Sequence, residues 1–469
     1  MKHLFLVFLA TSLFAKEDPF FIQTTHKITV DETPLIYSAT VDSIPVRDRE
    51  GKVLARLYYI SYVEEDIDAT QRPITFCFDG GPGGSSAGLQ IGGLGPRRAL
   101  TVEEGQSLTA PYHLIDNQET LLTHTDLVFI DPPGTGYSHV TGENIEDHYF
   151  YDTLSDIKVV GDFICDYLTR EGRWLSPKYV AGCSYGTYRA CGLASYLLGH
   201  GVALNGALLL SCAIDLTTLG FGTPNQENAL VLSLPSFAAA AWFHKKFAPE
   251  ITLEEVITGS RKFALEQLAP SLFLRGMVPT KFYLDLSFWT GLPLYEIQRC
   301  DGLIDTNQFL LNCCATEKKV ISRNDGRITG DISPPRTIFE YIDPAAQQAG
   351  LLISAFQSYL TEELHSKIDW PRYQLFSAKA NQLWRWHTVS TFDSLRDAMV
   401  INPEMRLFIG SGYFDLSTPF AATEYSFKRL NLSREDKMTF KYYEGGHGFF
   451  LSPTVLKQFK RDLMEFYTQ

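Results

Sequence analysis

The sequence contains the segment Lys178-Tyr179-Val180-Ala181-Gly182-Cys183-Ser184-Tyr185-Gly186, in which a serine stands between two glycines. The residues before Gly182 predict a strand, and Tyr185–Leu198 predicts a helix. A sharp strand-to-helix turn needs glycines on both sides of the serine, and it lifts the hydroxyl out of the sheet. Ser184 is therefore the predicted nucleophile. The alternative is a serine without a chemical role in a glycine-lined turn.

Strands and helices alternate along much of the chain. β-Branched and aromatic runs predict further strands at Val53–Val63, Ile74–Phe78, Leu127–Ile130, Ala207–Ser211, Arg406–Ile409 and Met438–Tyr443. Apolar residues at helical spacing predict helices at Leu154–Leu168 and Val455–Phe466. This alternation predicts an α/β fold with a mostly parallel sheet covered on both faces.

A serine hydroxyl needs a base, and the base needs a carboxylate to orient it. Of eleven histidines, His447 is the best placed, because it lies in a glycine-rich loop directly after the last predicted strand. Asp415 follows the strand Arg406–Ile409, and Asp393 is the reserve candidate for the acid. The chain order Ser184, Asp415, His447 is that of α/β-hydrolases, so we predict that fold and this triad.

A second glycine-rich loop, Asp79-Gly80-Gly81-Pro82-Gly83-Gly84, follows the strand Ile74–Phe78. Bare glycine backbone lets an amide approach a substrate oxygen, so this loop and the amide of Tyr185 are predicted to form an oxyanion hole. A structural tight loop is the alternative. For the turn at Asp131-Pro132-Pro133-Gly134-Thr135-Gly136-Tyr137-Ser138, lining the cleft and shaping the fold are equally compatible with the sequence.

The region between Asp215 and Asp393 is longer than one connection between parallel strands requires. Its pattern predicts several helices, including Leu253–Gln267 and Ala345–Glu362, and loops such as Ile332-Ser333-Pro334-Pro335. We predict a mainly helical cap at residues 215–393, inserted into a hydrolase core formed by residues 16–214 and 394–469. A separate domain beside the core is the alternative.

The composition is that of a folded globular protein, since 45% of the 469 residues are hydrophobic and 20% are charged. The formal net charge of −13 argues against a general nucleic-acid-binding protein, which needs a basic surface. The sequence has no P-loop, no H-E-x-x-H and no Rossmann glycine motif. We therefore predict neither a metal nor another cofactor.

The first residues, Met1-Lys2-His3, precede an apolar run from Leu4 to Ala15 and a polar stretch from Lys16. This pattern is typical of a secretory signal peptide, so residues 1–15 are predicted to be removed on export to the periplasm or the medium. An uncleaved apolar segment or a membrane anchor is the alternative. No other segment is predicted to span a membrane.

Eight cysteines are present, and none forms a C-x-x-C pair. In an exported chain, Cys300 with Cys313 or Cys314 is the candidate disulfide. The sequence predicts no oligomeric state.

Four motifs occur in order: Phe78-Asp79-Gly80-Gly81-Pro82-Gly83-Gly84-Ser85-Ser86, Phe129-Ile130-Asp131-Pro132-Pro133-Gly134-Thr135-Gly136-Tyr137-Ser138, Gly182-Cys183-Ser184-Tyr185-Gly186 and Gly445-Gly446-His447. Together they resemble the serine carboxypeptidase family, peptidase S10, particularly its bacterial members. The resemblance implies an α/β-hydrolase that releases C-terminal residues from peptides. It gives Ser184, Asp415 and His447 the roles of nucleophile, orienting acid and base, and it assigns the oxyanion amides to Gly81 and Tyr185.

Two positions depart from the family pattern. The family usually has asparagine where Asp79 stands and glutamate where Cys183 stands, and those two side chains help to bind the terminal carboxylate of the substrate. Asp79, Gly80 and Cys183 are therefore predicted substrate-binding residues, with Asp79 protonated so that it can donate a hydrogen bond. Arg97 and Arg98, soon after the glycine-rich loop, are candidates for a different carboxylate clamp.

The preferred hypothesis is an exported serine carboxypeptidase with peptide substrates. A second hypothesis is an α/β-hydrolase of another specificity, such as an esterase, an acyltransferase or an aminopeptidase in which Asp79 faces an ammonium group. A third is a non-catalytic relative that only binds peptides.

Overall fold

The computed structural model describes residues 21–103, 109–141, 147–220, 227–274, 277–332, 341–366, 373–432 and 434–468. The predicted leader at residues 1–15 lies outside these ranges, as do residues 333–335 of the predicted proline-rich loop.

Each strand predicted from the sequence is present, and the described residues also contain strands that were not predicted. In chain order they are β1 (Ile22–Val30), β2 (Thr33–Arg47), β3 (Val53–Glu64), β4 (Ile74–Phe78), β5 (Arg97–Ala99), β6 (Leu114–Asp116), β7 (Asp126–Ile130), β8 (His139–Val140), β9 (Lys178–Cys183), β10 (Gly206–Leu210), β11 (Lys319–Ile321), β12 (Thr329–Asp331), β13 (Arg406–Gly412) and β14 (Met438–Tyr443).

One large sheet organises the molecule, with strand order β1-β2-β3-β7-β4-β9-β10-β13-β14 and with β8 paired to β3. Within this order, the neighbours among β7, β4, β9, β10, β13 and β14 pair in parallel. The pairs β1–β2, β2–β3 and β3–β7 are antiparallel. The predicted α/β class and its mostly parallel sheet are therefore confirmed. The parallel strands β4, β7, β9 and β10 are buried throughout, as expected for strands covered on both faces.

Helices cover the sheet and fill the long connection before β13. In chain order the α-helices are α1 (Ala87–Leu89), α2 (Thr153–Arg170), α3 (Tyr185–Gly199), α4 (Glu227–Phe243), α5 (Leu253–Phe263), α6 (Ala269–Ser271), α7 (Thr280–Thr290), α8 (Leu294–Arg299), α9 (Thr306–Asn312), α10 (Gln347–Ser358), α11 (Ala378–Gln382), α12 (Phe392–Ile401), α13 (Phe420–Lys428) and α14 (Pro453–Thr468). Among these helices, none is both long enough and apolar enough to cross a bilayer.

Two apolar cores lie on opposite faces of the sheet. The helix α14 packs on one face through Phe459 and Leu463, and α2 packs on the other through Val160 and Ile164. Asp152 caps the start of α2 by accepting hydrogen bonds from the amides of Leu154 and Ser155. Packing on both faces holds the carboxyl ends of β4, β9 and β13 at one edge of the sheet. Predicted site residues lie in the loops that follow these strands.

The connection between β10 and β13 contains α4 to α12 and the small β11–β12 hairpin. The helices α4, α7 and α9 share an apolar cluster of their own, which includes Phe237, Phe282 and Phe309. The boundaries of a cap at residues 215–393 stay a prediction.

Candidate active site

Ser184 occupies a strained turn between β9 and α3. Its backbone has φ 57° and ψ −128°, a conformation that residues with a side chain rarely adopt. The neighbouring Gly182 is required by contact, since a Cβ there would lie 2.2 Å from the carbonyl oxygen of Gly186. The amide of Ser184 donates to the carbonyl of Leu210 at 3.0 Å, so the turn is fixed to β10.

Asp415 and His447 form a hydrogen-bonded pair. The distance from His447 Nδ1 to Asp415 Oδ2 is 2.8 Å, and Asp415 is fully buried. Thr418 also donates its hydroxyl to Asp415 Oδ2 at 2.6 Å, and the amides of Ser417 and Thr418 donate to Oδ1, each at 2.8 Å. These donors fix the carboxylate, which in turn orients the imidazole.

The two groups shift each other's pKa in opposite directions. Burial acts to raise the pKa of Asp415, but the charge of His447 and the hydrogen bonds from His447 and Thr418 outweigh it and lower the pKa. Burial acts to lower the pKa of His447, but the charge of Asp415, its hydrogen bond and the charge of Asp79 outweigh it and raise the pKa. The pair therefore favours an imidazole that can accept and hold a proton.

Ser184 and His447 line the same open cleft, which has a volume of about 670 Å³. Asp79, Gly80, Gly81 and Tyr185 also line this cleft. The structure thus brings together the predicted nucleophile, the predicted base and both segments of the predicted oxyanion hole.

The glycine-rich loop packs directly against the Ser184 turn. A Cβ at Gly80 would lie 2.6 Å from the amide nitrogen of Tyr185 and 2.7 Å from Ser184 Cβ. Within the described chain, the amides of Gly81 and Tyr185 have no protein acceptor. Two unpaired N–H groups beside a serine hydroxyl can stabilise a developing oxyanion.

Asp79 is a partly buried acid beside the nucleophile. Its Oδ1 accepts the amide of Gly80 at 2.9 Å. Burial raises the pKa of Asp79, although this hydrogen bond and the positive charges of His447 and Arg189 oppose the shift. The raised pKa favours the protonated form of Asp79, which the sequence analysis predicted.

The remaining predicted substrate-binding residues do not lie in the cleft. Cys183 is buried at the end of β9, and burial raises the pKa of its thiol. Arg97 forms ion pairs with Glu363 at 2.7 Å and with Asp116, and Arg98 donates to Thr101 Oγ1 at 3.4 Å. Neither arginine is among the residues that line the cleft. An arginine clamp is therefore not assembled in this structure.

Two further candidates from the sequence, Asp131 and Asp393, do not line the cleft. Asp131 is buried and accepts hydrogen bonds from Ser86 and Tyr373, and burial raises its pKa to about 6. The turn that begins at Asp131 is absent from the cleft lining, which favours its structural interpretation. Asp393, the reserve acid, is exposed at the start of α12 and pairs with Arg396.

The eight cysteines are free in the structure, so the disulfide expected for Cys300 is not formed. Cys300 instead accepts a hydrogen bond from Gln308 Nε2 at 3.0 Å. That expectation was wrong because spacing along the chain carries no information on the orientation of the side chains.

Sequence reasoning missed the part of the cleft contributed by residues between β10 and β13. Asn324, Phe376, Asn381 and Trp386 line it. Asn381 donates to the carbonyl of Pro82 at 2.9 Å, and so binds the glycine-rich loop. The only sequence signal was the aromatic cluster around Trp386, because no motif marks a residue that reaches a site through long-range contacts.

The family model for serine carboxypeptidase, peptidase S10, matches residues 46–228, which include the glycine-rich loop and the Ser184 turn. This segment of the chain is similar to the serine carboxypeptidase family. The predicted resemblance to this family is confirmed for these residues, whereas the closer resemblance to bacterial members stays a prediction. No curated protein shows significant similarity to the chain.

The solved structures that match this chain have low sequence identity to it. Kex1(delta)p, a prohormone-processing carboxypeptidase from Saccharomyces cerevisiae, is 14% identical with a TM-score of 0.60, over 92% of this chain and 91% of that one. A proline iminopeptidase from Mycobacterium smegmatis is 14% identical with a TM-score of 0.39, over 92% and 98% of the two chains. A carboxyl esterase from Bacillus coagulans is 11% identical with a TM-score of 0.41, over 91% and 98%. The Kex1 similarity confirms the α/β-hydrolase fold.

Proposed function

We propose that this chain is an exported serine carboxypeptidase that removes C-terminal residues from peptides. The observation that carries the proposal is the 2.8 Å hydrogen bond between Asp415 and His447, together with the cleft that His447 and the strained Ser184 turn both line. The family supports a peptidase, and the predicted leader supports export. Mass spectrometry of the exported protein tests the leader. A chain that begins at Lys16 would support its removal, and retention of Met1 would contradict it.

In the proposed reaction, Ser184 Oγ attacks the carbonyl carbon of the last peptide bond while His447 Nε2 accepts the hydroxyl proton. The amides of Gly81 and Tyr185 stabilise the oxyanion of the tetrahedral intermediate. His447 then donates its proton to the leaving amine, and Ser184 carries the acyl group. Water, deprotonated by His447, attacks the acyl carbon, the bond to Ser184 Oγ breaks, and His447 returns the proton to Ser184 as the shortened peptide is released.

Residues 215–393 would act as a cap that completes the substrate cleft. Phe376 and Trp386 from this region line the cleft together with the core residues that carry the chemistry. They supply apolar surface that excludes water from the bound peptide.

A second candidate is an α/β-hydrolase that does not require a free carboxylate. It is favoured by the burial of Cys183, and by the absence of lysine and arginine from the described residues that line the cleft. An acid at position 79, once ionised, would also repel a carboxylate and attract an ammonium group.

Turnover of N-blocked dipeptides and of their C-terminal amides distinguishes the two candidates. We expect hydrolysis of the free acids with a clear preference over the amides, and no hydrolysis by Ser184→Ala. Equal hydrolysis of acids and amides, or of simple esters alone, would favour the second candidate. No Ser184-dependent hydrolysis of any substrate would contradict both.

A further inference from the structure

A hairpin from the region between β10 and β13 reaches the two loops that carry Asp415 and His447. Its turn joins β11 to β12 and is closed by Ser322, whose hydroxyl accepts the amides of Asn324 at 3.0 Å and Asp325 at 3.1 Å. Ser322 is fully buried, so its hydrogen bonds fix the turn to the interior of the protein. Residues 323–327 form the hairpin tip.

The hairpin tip is hydrogen-bonded to the loop that follows β13. The amide of Leu416 donates to the carbonyl of Arg323 at 3.1 Å, and the amide of Gly326 donates to the carbonyl of Phe414 at 2.9 Å. These two bonds flank Asp415 on both sides. The position of the acid is therefore coupled to the hairpin tip.

The same tip holds the loop that follows β14. The amide of His447 donates to the carbonyl of Asn324 at 2.5 Å, and Arg327 Nη1 donates to the carbonyl of Glu444 at 2.9 Å. The approach is close, since a Cβ at Gly446 would lie 2.4 Å from the carbonyl oxygen of Asn324. Asn324 is therefore a direct neighbour of the proposed base.

The side chain of Asn324 retains an unused donor. Its Oδ1 accepts the hydroxyl of Ser417 at 3.0 Å, whereas its Nδ2 has no protein acceptor among the described residues. Asn324 is exposed and lines the cleft together with Ser184 and His447. An amide group that lines the cleft beside His447 can donate an N–H to a bound ligand.

The chemistry of the leaving group determines which end of the substrate lies beside Asn324 and His447. His447 must protonate the leaving amine, so the released residue binds on the His447 side of Ser184. In a carboxypeptidase that residue carries the free carboxylate. We propose that Asn324 Nδ2 donates a hydrogen bond to the terminal carboxylate of the peptide, as a specificity residue contributed by the hairpin tip. This inference rests on the proposed carboxypeptidase function, and it supplies a carboxylate donor where Cys183 cannot.

Binding to an inactive protein tests the inference. In the Ser184→Ala background, calorimetry measures the Kd of an N-blocked dipeptide and of its C-terminal amide, with and without Asn324→Ala. We expect Asn324→Ala to weaken binding of the free acid about tenfold and binding of the amide about threefold or less, because a charged acceptor makes the stronger hydrogen bond. Asn431→Ala, at an exposed asparagine outside the cleft lining, is the matched control and should change neither Kd.

Equal weakening for both ligands, or no weakening for the free acid, would overturn the role of Asn324. Failure of the proposed function appears separately, as no hydrolysis of the free acid by the unsubstituted protein. Asn324→Asp provides a second measurement, because it keeps the acceptor for Ser417 but removes the donor and adds a negative charge. It should weaken binding of the free acid more than Asn324→Ala does, and an unchanged Kd for this variant would also contradict the inference.

Discussion

At the scale of single residues, Asp415 determines which nitrogen of His447 carries the proton. Its Oδ2 lies 2.8 Å from Nδ1, so that Nδ1 donates and Nε2 is left free to accept from Ser184. Thr418 Oγ1 and two backbone amides occupy the other acceptor positions of the carboxylate. Replacing this carboxylate by an amide removes its negative charge with almost no change in side-chain volume.

Asp415→Asn is therefore expected to lower kcat by about 10³- to 10⁴-fold, because an amide at this position favours the wrong imidazole tautomer. Asp393→Asn is the matched control, since Asp393 is 78% exposed and pairs with Arg396 on its own helix. Steady-state kinetics on an N-blocked dipeptide measures both. Comparable losses for the two variants, or a normal kcat for Asp415→Asn, would remove Asp415 from the proposed triad.

Asp79 couples the chemistry to pH. Burial raises its pKa, so the carboxyl is neutral at acid pH and becomes charged as the pH rises through that raised value. The charged form repels a substrate carboxylate, and it also raises the pKa of His447. Both effects work against activity toward neutral pH, the first by weakening binding and the second by keeping the base protonated.

Asp79→Asn should extend activity toward neutral pH and shift the acid limb of kcat/KM to lower pH, because the pKa of His447 falls when the charge is removed. The measurement is the profile of kcat/KM from about pH 4 to about pH 8 for the free-acid dipeptide. A profile that superimposes on that of the unsubstituted protein would show that Asp79 does not titrate against the substrate.

At the scale of elements, the β9–α3 turn depends on backbone contacts that exclude a Cβ. Gly182 packs against the carbonyl of Gly186, and a methyl group there would overlap it at 2.2 Å. Since backbone atoms cannot rotate away as a side chain does, the strand or the helix must shift. Such a shift would move Ser184 relative to the oxyanion amides.

Gly182→Ala is expected to lower the free energy of unfolding by about 2 to 3 kcal/mol. Gly199→Ala, at the end of the same helix, is the control because a Cβ there meets nothing within 4 Å. It should be neutral or slightly stabilising, by up to about 1 kcal/mol. Denaturant unfolding measures both variants, and equal midpoints would contradict the packing argument.

The sequence predicted the elements that carry the chemistry because they are short, apolar and bounded by glycines. β4 and β14 have the predicted limits, and the helix after Ser184 ends one residue beyond its predicted end. The antiparallel strands β1 and β2 were missed. β2 contains Pro34 and Pro45, which usually exclude a segment from a sheet, and the first half of β1 alternates between partly buried and exposed residues at the sheet edge.

At the scale of the whole molecule, a buried ion cluster joins the amino ends of the central strands. Asp126, at the start of β7, pairs with Arg72 at 2.8 Å and with Arg173 at 2.6 Å. Arg173 also donates to the carbonyl of Arg72 at 3.0 Å. The cluster lies at the edge of the sheet away from the cleft, so it acts on stability and not on the reaction.

Asp126→Ala is expected to cost about 3 to 5 kcal/mol, because it removes the acid paired with the buried Arg173 and one of the two acids paired with the buried Arg72. Activity per folded molecule should be unchanged. Asp397→Ala, at an acid whose side chain is 63% exposed, is the matched control and should change the unfolding free energy by less than about 0.5 kcal/mol. A loss at Asp126 no larger than that at Asp397 would mean that the cluster is not a determinant of stability.

How the long connection between β10 and β13 completes the site could not be predicted at this scale. Ser184, Asp415 and His447 each follow a strand of one sheet, so their order along the chain was enough to predict that they meet. Asn324 and Trp386 reach the cleft from hairpin and loop segments whose packing depends on many distant residues. No local spacing encodes such a contact, and the same holds for the engagement of Arg97 by Glu363.

The central claim is that His447 activates Ser184 as a nucleophile, and covalent labelling tests it most directly. A fluorophosphonate probe should label the unsubstituted protein at one serine, identified by peptide mass spectrometry as Ser184. The labelling rate should fall by at least about 100-fold in His447→Ala and remain unchanged in His387→Ala, whose imidazole lies outside the cleft lining. Absence of label on Ser184, or equal labelling rates in the unsubstituted protein and His447→Ala, would contradict the account.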